Sequence, residues 1–222
     1  MKRLLITGGQ GDLAKVISGY FAEHGFEVFA PGHDELEVTD SAAVDAYVSA
    51  HGPFTHVIAN AGCHIDRNIL KLSESDWDSV IGTNFYGAKI TAQVAHKYRS
   101  PEQPLHIIYI GSYAAIHPQV GQWNYATAKG YLIDLMKEQA LRWGRSDQDG
   151  GAPIQVNLVL PGFMRTKMTA NLPEKVLRNA LDKHALKAFN TPENVAKFLH
   201  FLSTEMPMTS GQVFNLDSRL VE

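Results

Sequence analysis

Short apolar runs alternate along the chain with longer stretches in which apolar residues recur every three or four positions. The short runs end at glycine, proline or polar residues and therefore predict strands. They lie at residues 4–7, 27–30, 36–38, 56–59, 106–110, 154–160 and 212–216, with 36–38 the weakest. The longer stretches predict helices at about 13–24, between Asp40 and Gly52-Pro53, from Ser73 to about Tyr98, at about 124–143, and from Thr191 to about Leu202.

The predicted helices are bounded by residues that favour helix starts and stops. Start signals stand at Asp40 or Ser41, at the Ser73–Asp76 capping box and at Thr191-Pro192, and a stop signal stands at Gly25. These residues support the helix boundaries that the apolar pattern predicts.

Strands that are apolar throughout, separated by helices, are typical of a parallel sheet covered on both faces. We therefore predict an α/β fold: a single doubly wound, Rossmann-type parallel sheet formed by residues 1–222 as one domain. Ligands bind such sheets at the carboxyl ends of the strands. The unusual residues of this chain follow those ends, after Thr7, Ala59, Ile110 and Leu160.

Composition narrows the class of protein. The 222 residues include 20 basic and 23 acidic side chains, and no basic cluster predicts nucleic-acid binding. The single cysteine, Cys63, excludes an intramolecular disulfide and is typical of a reducing compartment. The ten histidines show no ligand spacing, so no metal site is predicted. Because neither a signal peptide nor a membrane span is predicted, we expect a cytoplasmic protein.

The segment from Thr7 to Ala14 follows a predicted strand and opens a predicted helix. Its glycines Gly8, Gly9 and Gly11 allow a diphosphate to approach the backbone, and a helix N-terminus attracts negative charge. A tight turn without any ligand explains the glycines equally well. The denser G-x-G-x-x-G spacing is absent.

Tyr125 and Lys129 are four residues apart on a predicted helix and therefore share a face. A tyrosine becomes an acid–base catalyst at neutral pH when a neighbouring ammonium group favours its phenolate form. Ser112, just beyond a strand end, is placed to bond a substrate oxygen. Taken alone, a pair with this spacing is more often an ordinary helix surface.

Six motifs, in order, resemble those of the short-chain dehydrogenase/reductase family over nearly the full chain. They are the turn at 7–14, Asn60-Ala61-Gly62, Asn84, Ser112 with Tyr125-x-x-x-Lys129, Val156-Asn157 with Pro161-Gly162 and Thr166, and the segments 191–196 and 210–212. Residues 161–168 and 191–215 are most similar to the 3-oxoacyl-[acyl-carrier-protein] reductase type.

The resemblance implies an NAD(P)-dependent oxidoreductase that transfers hydride between a nicotinamide and a carbonyl or secondary alcohol. It makes Tyr125 the proton donor in reduction and gives Lys129 two tasks, lowering the pKa of Tyr125 and holding the nicotinamide ribose. Ser112 would polarise the carbonyl, and Asn84 would anchor a water behind Lys129. Further cofactor contacts are implied for Gly8, Gly9, Gln10, Gly11, Asp12 and Leu13 at the pyrophosphate, for Glu37, Val38, Asn60, Ala61 and Gly62 at the adenosine, and for Pro161, Gly162, Met164 and Thr166 at the nicotinamide.

The chain departs from the family pattern at Asp12, which stands where the family has a glycine. A carboxylate beside a pyrophosphate is unfavourable unless it points away, and we expect Asp12 to cap the helix start instead. A second departure is the short segment between Ala30 and Glu37, where most members have a helix. It should leave the surface beside the adenosine ribose open.

Cofactor choice depends on the residues after the second strand. An acid there binds the ribose hydroxyls of NAD, and a basic residue favours the 2′-phosphate of NADP. Gly32 occupies the acidic position and His33 the basic one. We therefore expect NADP(H) to be favoured over NAD(H), with His33 as a cofactor contact.

The substrate is a small-molecule carbonyl or alcohol in this interpretation, and residues at about 166–190 are expected to cover it. The basic residues of that segment admit an acyl-carrier protein as a partner, although a solvated helix face explains them too. The alternative hypothesis is a cofactor-binding regulatory or scaffold protein without turnover, which Asp12 and the short segment after Ala30 suggest.

The helices predicted at 76–98 and 124–143 have wider apolar stripes than one contact with a sheet needs. Such a surplus on the surface is typical of a partner interface. We therefore expect a homo-oligomer, at least a dimer through these helices. The short, charged C-terminal tail leaves open whether a second interface completes a tetramer.

Overall fold

A computed structural model describes residues 1–144, 151–170 and 172–219. The strands are β1 (Lys2–Ile6), β2 (Phe26–Phe29), β3 (His56–Ala59), β4 (Leu105–Ile110), β5 (Ile154–Leu160) and β6 (Val213–Asn215). The α-helices are α1 (Asp12–Glu23), α2 (Ser41–His51), α3 (Glu74–Ile81), α4 (Ala88–Lys97), α5 (Trp123–Trp143), α6 (Glu174–Asp182) and α7 (Pro192–Glu205).

The strands form one parallel sheet in the order β2-β1-β3-β4-β5-β6. The order reverses beside β1, because the chain runs outward from β1 to β2 and then crosses to β3 on the other side. Ligands of doubly wound sheets bind where the strand order reverses. The predicted fold class is confirmed, and the reversal places the candidate site above β1 and β3.

The core lies on both faces of the sheet, as alternate side chains of each strand require. Leu5 of β1 faces a cluster with α2, α4 and α5, whereas Leu4 and Ile6 face a cluster with α1 and α7. Because both faces are covered, the central strands are mostly apolar, and the polar residues His56, Gln155 and Asn157 that they contain are buried. This is the burial that the unbroken apolar runs predict.

Most predicted helix boundaries agree with the structure. Asp40 caps α2 by accepting hydrogen bonds from two backbone amides, and Ser73 and Asp76 form the capping box of α3. Gly25, just beyond α1, has a φ of 81°, a conformation that favours glycine. The start of α7 at Thr191-Pro192 is also confirmed, since the Thr191 side chain accepts from Asn194 N.

The weak strand predicted at 36–38 is wrong. Residues 33–35 form a turn, and Leu36 N donates to Gly32 O at 2.9 Å. Leu36 and Val38 are buried against the cluster formed with α2 and α4. Their apolar character therefore reflects packing of a connecting segment and not pairing in the sheet.

The long helix predicted from Ser73 to about Tyr98 is interrupted in the middle. A π-helical stretch, Gly82–Gly87, joins α3 to α4 and contains Asn84. Such stretches are rare and are frequent at functional sites. The apolar periodicity did not predict this one, because an extra residue in one turn changes the pattern too little.

No helix within the described residues is long and apolar enough to cross a membrane. No group of three or more histidine, cysteine, aspartate or glutamate side chains among those residues is placed to hold a metal ion.

Candidate active site

The glycine-rich turn after β1 is locked to the end of β3 by hydrogen bonds. Thr7 Oγ1 accepts from Asn60 N at 3.1 Å and from Ala61 N at 3.0 Å, and Asn60 Nδ2 donates to Thr7 O at 3.0 Å. Gly8 has a φ of 70°, and a Cβ atom there would lie 2.9 Å from Ala61 Cα. The two motifs predicted to contact the cofactor therefore form one unit.

The turn leaves the start of α1 open to a ligand. Gly9 N donates to Pro31 O at 2.9 Å, which brings the turn close to the end of β2. In the part of the chain that the structure describes, no side chain caps α1 at Gly11. Amides at such a helix start, together with the helix dipole, bind phosphate groups. The turn therefore fits the pyrophosphate of a dinucleotide.

Asp12 does not cap α1, contrary to the expectation from the sequence. It is the first residue of the helix, and its Oδ2 accepts from Lys167 N at 2.7 Å. Lys167 Nζ also lies 3.9 Å from Asp12 Oδ1. The carboxylate at this position bonds a backbone amide from the segment after β5 instead of an amide of its own helix. Asp12 thus ties the glycine-rich turn to that segment.

Ser112 and Tyr125 meet beyond the end of β4. Ser112 follows that strand and accepts from Ala114 N at 3.2 Å. Tyr125 lies in the first turn of α5, next to Asn124, whose buried amide donates to Ile65 O. Burial raises the pKa of Tyr125 above its ordinary value, and a hydrogen bond with Ser112 acts in the opposite direction.

Lys129 is buried one turn further along α5. Its Nζ donates to Ile110 O at 2.9 Å and lies 5.8 Å from the centre of the Tyr125 ring. Burial lowers the pKa of Lys129 to about 8. The sequence led us to expect that Lys129 lowers the pKa of Tyr125, but in the protein itself that pKa is raised. Burial destabilises the charged phenolate by more free energy than the neighbouring groups supply.

Asn84 is fully buried beside this pair. Its Nδ2 donates to Cys63 O at 2.7 Å and to Val80 O at 2.9 Å, while its buried Oδ1 has no partner among the residues that the structure describes. A Cβ atom at Gly62 would lie 2.7 Å from that Oδ1 and 3.6 Å from Lys129 Nζ. The small residue at position 62 therefore keeps a gap between Asn84 and Lys129. An unpaired acceptor facing such a gap suits a bridging water.

His33 lies at the surface and is surrounded by acids. Its Nε2 is 2.8 Å from Glu37 Oε2, and its Nδ1 is 3.9 Å from Asp34 Oδ1. Val38, one residue further, is buried and packs against the position of Gly87. The structure places His33, Glu37 and Val38 together after β2, as expected for one end of a dinucleotide site.

The loop from Pro161 to Thr166 begins at the carboxyl end of β5. Gly162 has a φ of 83°, and Met164 is buried in the cluster formed with α1 and α7. Asn190 Nδ2 donates to Pro161 O at 2.8 Å, and Asn190 N donates to Phe163 O at 3.0 Å. The loop is therefore held from the far end of the segment expected to cover the substrate.

Sequence reasoning missed three residues that hold this loop and segment: His184, Asp217 and Arg219. Asp217 Oδ2 accepts from Phe163 N at 3.2 Å. His184 Nε2 lies 2.9 Å from Asp217 Oδ1. No local spacing indicates such a cluster, because Phe163 and His184 come from segments far from Asp217 and Arg219 in the sequence.

Comparisons with known proteins agree with this arrangement. The family model described as enoyl-(acyl carrier protein) reductase matches residues 13–218. A Thermotoga maritima protein named 3-oxoacyl-[acyl-carrier-protein] reductase FabG is 32% identical, with 99% of this chain and 98% of the relative covered. The Mycobacterium bovis 3-oxoacyl-[acyl-carrier-protein] reductase MabA is 29% identical, with 97% of this chain and 91% of the relative covered.

Solved structures show the same fold. A mutant short-chain dehydrogenase/reductase of Serratia marcescens superposes with a TM-score of 0.85 at 22% identity, covering 98% of this chain and 96% of the other. A Brucella melitensis 3-ketoacyl-(acyl-carrier-protein) reductase, solved with NADH, gives a TM-score of 0.86 at 18% identity, covering 98% and 97%. The chain belongs to the short-chain dehydrogenase/reductase family. It is an NAD(P)-dependent oxidoreductase.

Proposed function

We propose that this protein reduces a carbonyl group to a secondary alcohol, with a 3-oxoacyl thioester as substrate. The observation that supports it is the placement of Ser112, Tyr125 and Lys129 at one strand end, with Ser112 beside the Tyr125 hydroxyl and the Lys129 side chain buried. Relatives named 3-oxoacyl-[acyl-carrier-protein] reductase point to the substrate class.

Tyr125 donates the proton. Because burial raises its pKa, Tyr125 is neutral at physiological pH and has a proton to give to a developing alkoxide. Ser112 bonds the same oxygen and stabilises its charge. In the reverse direction Tyr125 accepts the proton. The buried gap between Asn84 Oδ1 and Lys129 accommodates the water through which Lys129 exchanges protons with solvent.

A nicotinamide dinucleotide supplies the hydride when bound. Its pyrophosphate would be held by the turn from Gly8 to Leu13, including Gln10 and Gly11. Asn60, Ala61 and Gly62 would contact the adenosine side with Glu37 and Val38. Pro161, Gly162, Met164 and Thr166 would border the nicotinamide, and Lys129 would bond its ribose. We propose NADP(H) as the favoured form, because His33 is the basic group at the expected position of the 2′-phosphate. The margin is small, because Glu37 and Asp34 lie beside the same imidazole.

The segment at about 166–190 would cover the substrate as part of a single domain spanning residues 1–222. Its basic side chains Lys175, Arg178, Lys183 and Lys187 are all exposed, and no residue of α6 is buried. A covering helix with an exposed basic face suits an acidic protein that delivers the thioester. We therefore propose an acyl-carrier protein as the partner, in the cytoplasm, with no role for nucleic acid or membrane.

We also propose a homo-oligomer. Tyr86, Tyr131 and Leu141 lie on the π-helical stretch and α5, and each exposes half or more of its surface. Sedimentation should give at least a dimer, and Tyr131→Asp should shift it toward monomer. A wild-type monomer at micromolar concentration would contradict this interface.

The test of the proposed reaction is Tyr125→Phe, assayed with 3-oxoacyl thioesters and a panel of other carbonyls. Turnover should fall at least ~100-fold, the lower range for losing a proton donor. Lys129→Ala should reduce both turnover and cofactor affinity, since it serves both. The residue Tyr131, also on α5, provides the control: Tyr131→Phe should leave turnover unchanged. Retention of a tenth of the activity by Tyr125→Phe would refute the assignment.

The alternative is a cofactor-binding regulatory protein without turnover, and Asp12 at the glycine-rich turn is the observation that favours it. Under that hypothesis a nicotinamide dinucleotide binds, but no member of the carbonyl panel is reduced. Binding together with reduction of any member excludes it.

A further inference from the structure

The carboxylate of Asp217 is fully buried and is surrounded by donors. Its Oδ1 faces His184 Nε2 at 2.9 Å and accepts from Arg219 N at 3.0 Å. Its Oδ2 accepts from Phe163 N at 3.2 Å, from Arg219 Nε at 2.8 Å and from Arg219 Nη2. Four hydrogen bonds to one carboxylate, with an imidazole nitrogen beside it, are enough to satisfy a buried charge.

His184 and Arg219 both face the Asp217 carboxylate. His184 Nδ1 lies 2.7 Å from Ala180 O, and its Nε2 faces Asp217. Burial opposes ionisation of Asp217, but the hydrogen bonds and the positive charge of Arg219 hold its pKa below the ordinary value. One carboxylate is thus shared by a guanidinium and an imidazole.

The cluster joins three segments of the proposed substrate site. Phe163 belongs to the loop after β5, and His184 follows α6. A Cβ atom at Gly162 would lie 3.3 Å from Asp217. Arg219 also stacks on the ring of Tyr113, with its Cζ 3.7 Å from the ring centre, and Tyr113 follows Ser112. Ala185 N donates to Ser218 O at 2.9 Å, which adds a backbone link.

We propose that Asp217 is a positioning residue for the reduction and that it acts through its contacts with Arg219 and His184. It sets the distance between the loop from Pro161 to Thr166, the covering helix α6, and the Ser112 side of the site. This inference rests on the proposed function. A packed apolar group would fill the same space, but it would not orient three donors from separate segments toward one point.

The test compares Asp217→Asn with the wild type by hydrogen exchange and by kinetics. The amide group accepts on one side only. It therefore leaves without a partner either Phe163 N and the Arg219 guanidinium, which share Oδ2, or His184 Nε2 and Arg219 N, which share Oδ1. Exchange should speed up in peptides covering residues 161–166 and 174–184 and stay unchanged in β4. KM for the carbonyl substrate should rise about tenfold or more, with a smaller change in kcat, as expected for losing one hydrogen bond to a charge.

Two controls separate positioning from general stability. Glu27→Gln removes a carboxylate that bonds Arg3 Nε at 2.8 Å, between β1 and β2, and should leave KM unchanged. Val44→Ala opens a cavity in α2 and should lower the melting temperature without changing local exchange or KM. If Asp217→Asn does not fold, Arg219→Lys provides the same comparison, because it keeps the charge and loses the forked contact.

Each outcome decides the proposal. Faster exchange at 161–166 and 174–184 together with a raised KM supports it. A lower melting temperature with unchanged exchange pattern and unchanged KM overturns it, and so does faster exchange with unchanged KM. If the wild type reduces no carbonyl, the proposed function fails, whereas the exchange data still show whether Asp217 anchors the segments.

Discussion

The backbone amide of Lys167 donates to the carboxylate of Asp12 at 2.7 Å, although 155 positions separate the two residues. The contact joins the start of α1 to the segment that leaves the loop after β5. It places a negative charge beside the amides that would hold a pyrophosphate. Asp12 therefore stabilises the helix start and opposes the cofactor at the same time.

We predict that Asp12→Asn binds the dinucleotide more tightly and lowers stability. The amide keeps an acceptor for Lys167 N but removes the charge. Charges at a helix start are worth about 0.3–1 kcal/mol, which corresponds to roughly 2- to 5-fold in affinity. Fluorescence titration with NADPH and a denaturant melt measure both effects. Weaker NADPH binding by this variant would show that the carboxylate does not face the pyrophosphate.

Cofactor affinity should fall as the pH rises through about 8. Burial lowers the pKa of Lys129 to about 8, so Lys129 is charged below this pH and neutral above it. A neutral amine is a poorer donor to the nicotinamide ribose. Titrations of NADPH binding between pH 6.5 and 9.5 should therefore show a decline in the wild type. Lys129→Met should bind weakly at every pH, and a declining curve for that variant would assign the titration to another group.

His33→Gln should reduce the preference for NADPH over NADH. The imidazole is the basic group next to the predicted 2′-phosphate position. The ratio of the two dissociation constants should therefore approach one in the variant. The matched control is His51→Gln in α2, which should leave the ratio unchanged. A preference for NADH in the wild type at all pH values would remove His33 from the cofactor site.

Stability should decrease as the pH falls below about 6.5, the ordinary histidine pKa. Burial, with the neighbouring His106, lowers the pKa of His56 to about 3, and burial lowers that of His106 to about 4. Their rings stack 4.7 Å apart between β3 and β4. The unfolded chain therefore takes up more protons than the folded one between these values, so acid favours unfolding.

Melting temperatures measured from pH 7.5 to 5 test this. The wild type should lose stability steadily, and His106→Gln should show a smaller slope even if its stability is lower throughout. His33→Gln, at the exposed surface, should keep the wild-type slope. Equal slopes in all three proteins would mean that groups other than the buried histidines cause the loss.

The sequence predicted the fold because strands and helices leave periodic signals. The strand from 154 to 160, buried on both faces, was predicted to the residue, and so was the capping box of Ser73 and Asp76. The segment at 36–38 has the same apolar character and is not a strand. Only the tertiary structure shows that Leu36 and Val38 pack in a connection instead of pairing.

The candidate site was predicted where its motifs are local. Tyr125 and Lys129 are one helical turn apart, so their shared face follows from the sequence. Their pKa shifts do not, because burial depends on all the segments packed around them. Distant segments also explain why Asp12 does not cap α1 as expected. Its carboxylate accepts a hydrogen bond from Lys167 N, and the local sequence around Asp12 does not show that this donor is within reach.

The sequence by itself determined the order of strands and helices, the strand ends where chemistry is placed, and the local pair on α5. Each of these depends on residues within a few positions of one another. The tertiary structure alone decided the π-helical stretch around Asn84 and the cluster of His184, Asp217 and Arg219. These depend on contacts with side chains tens of residues away, and the local periodicity of a sequence does not indicate contacts over such a distance.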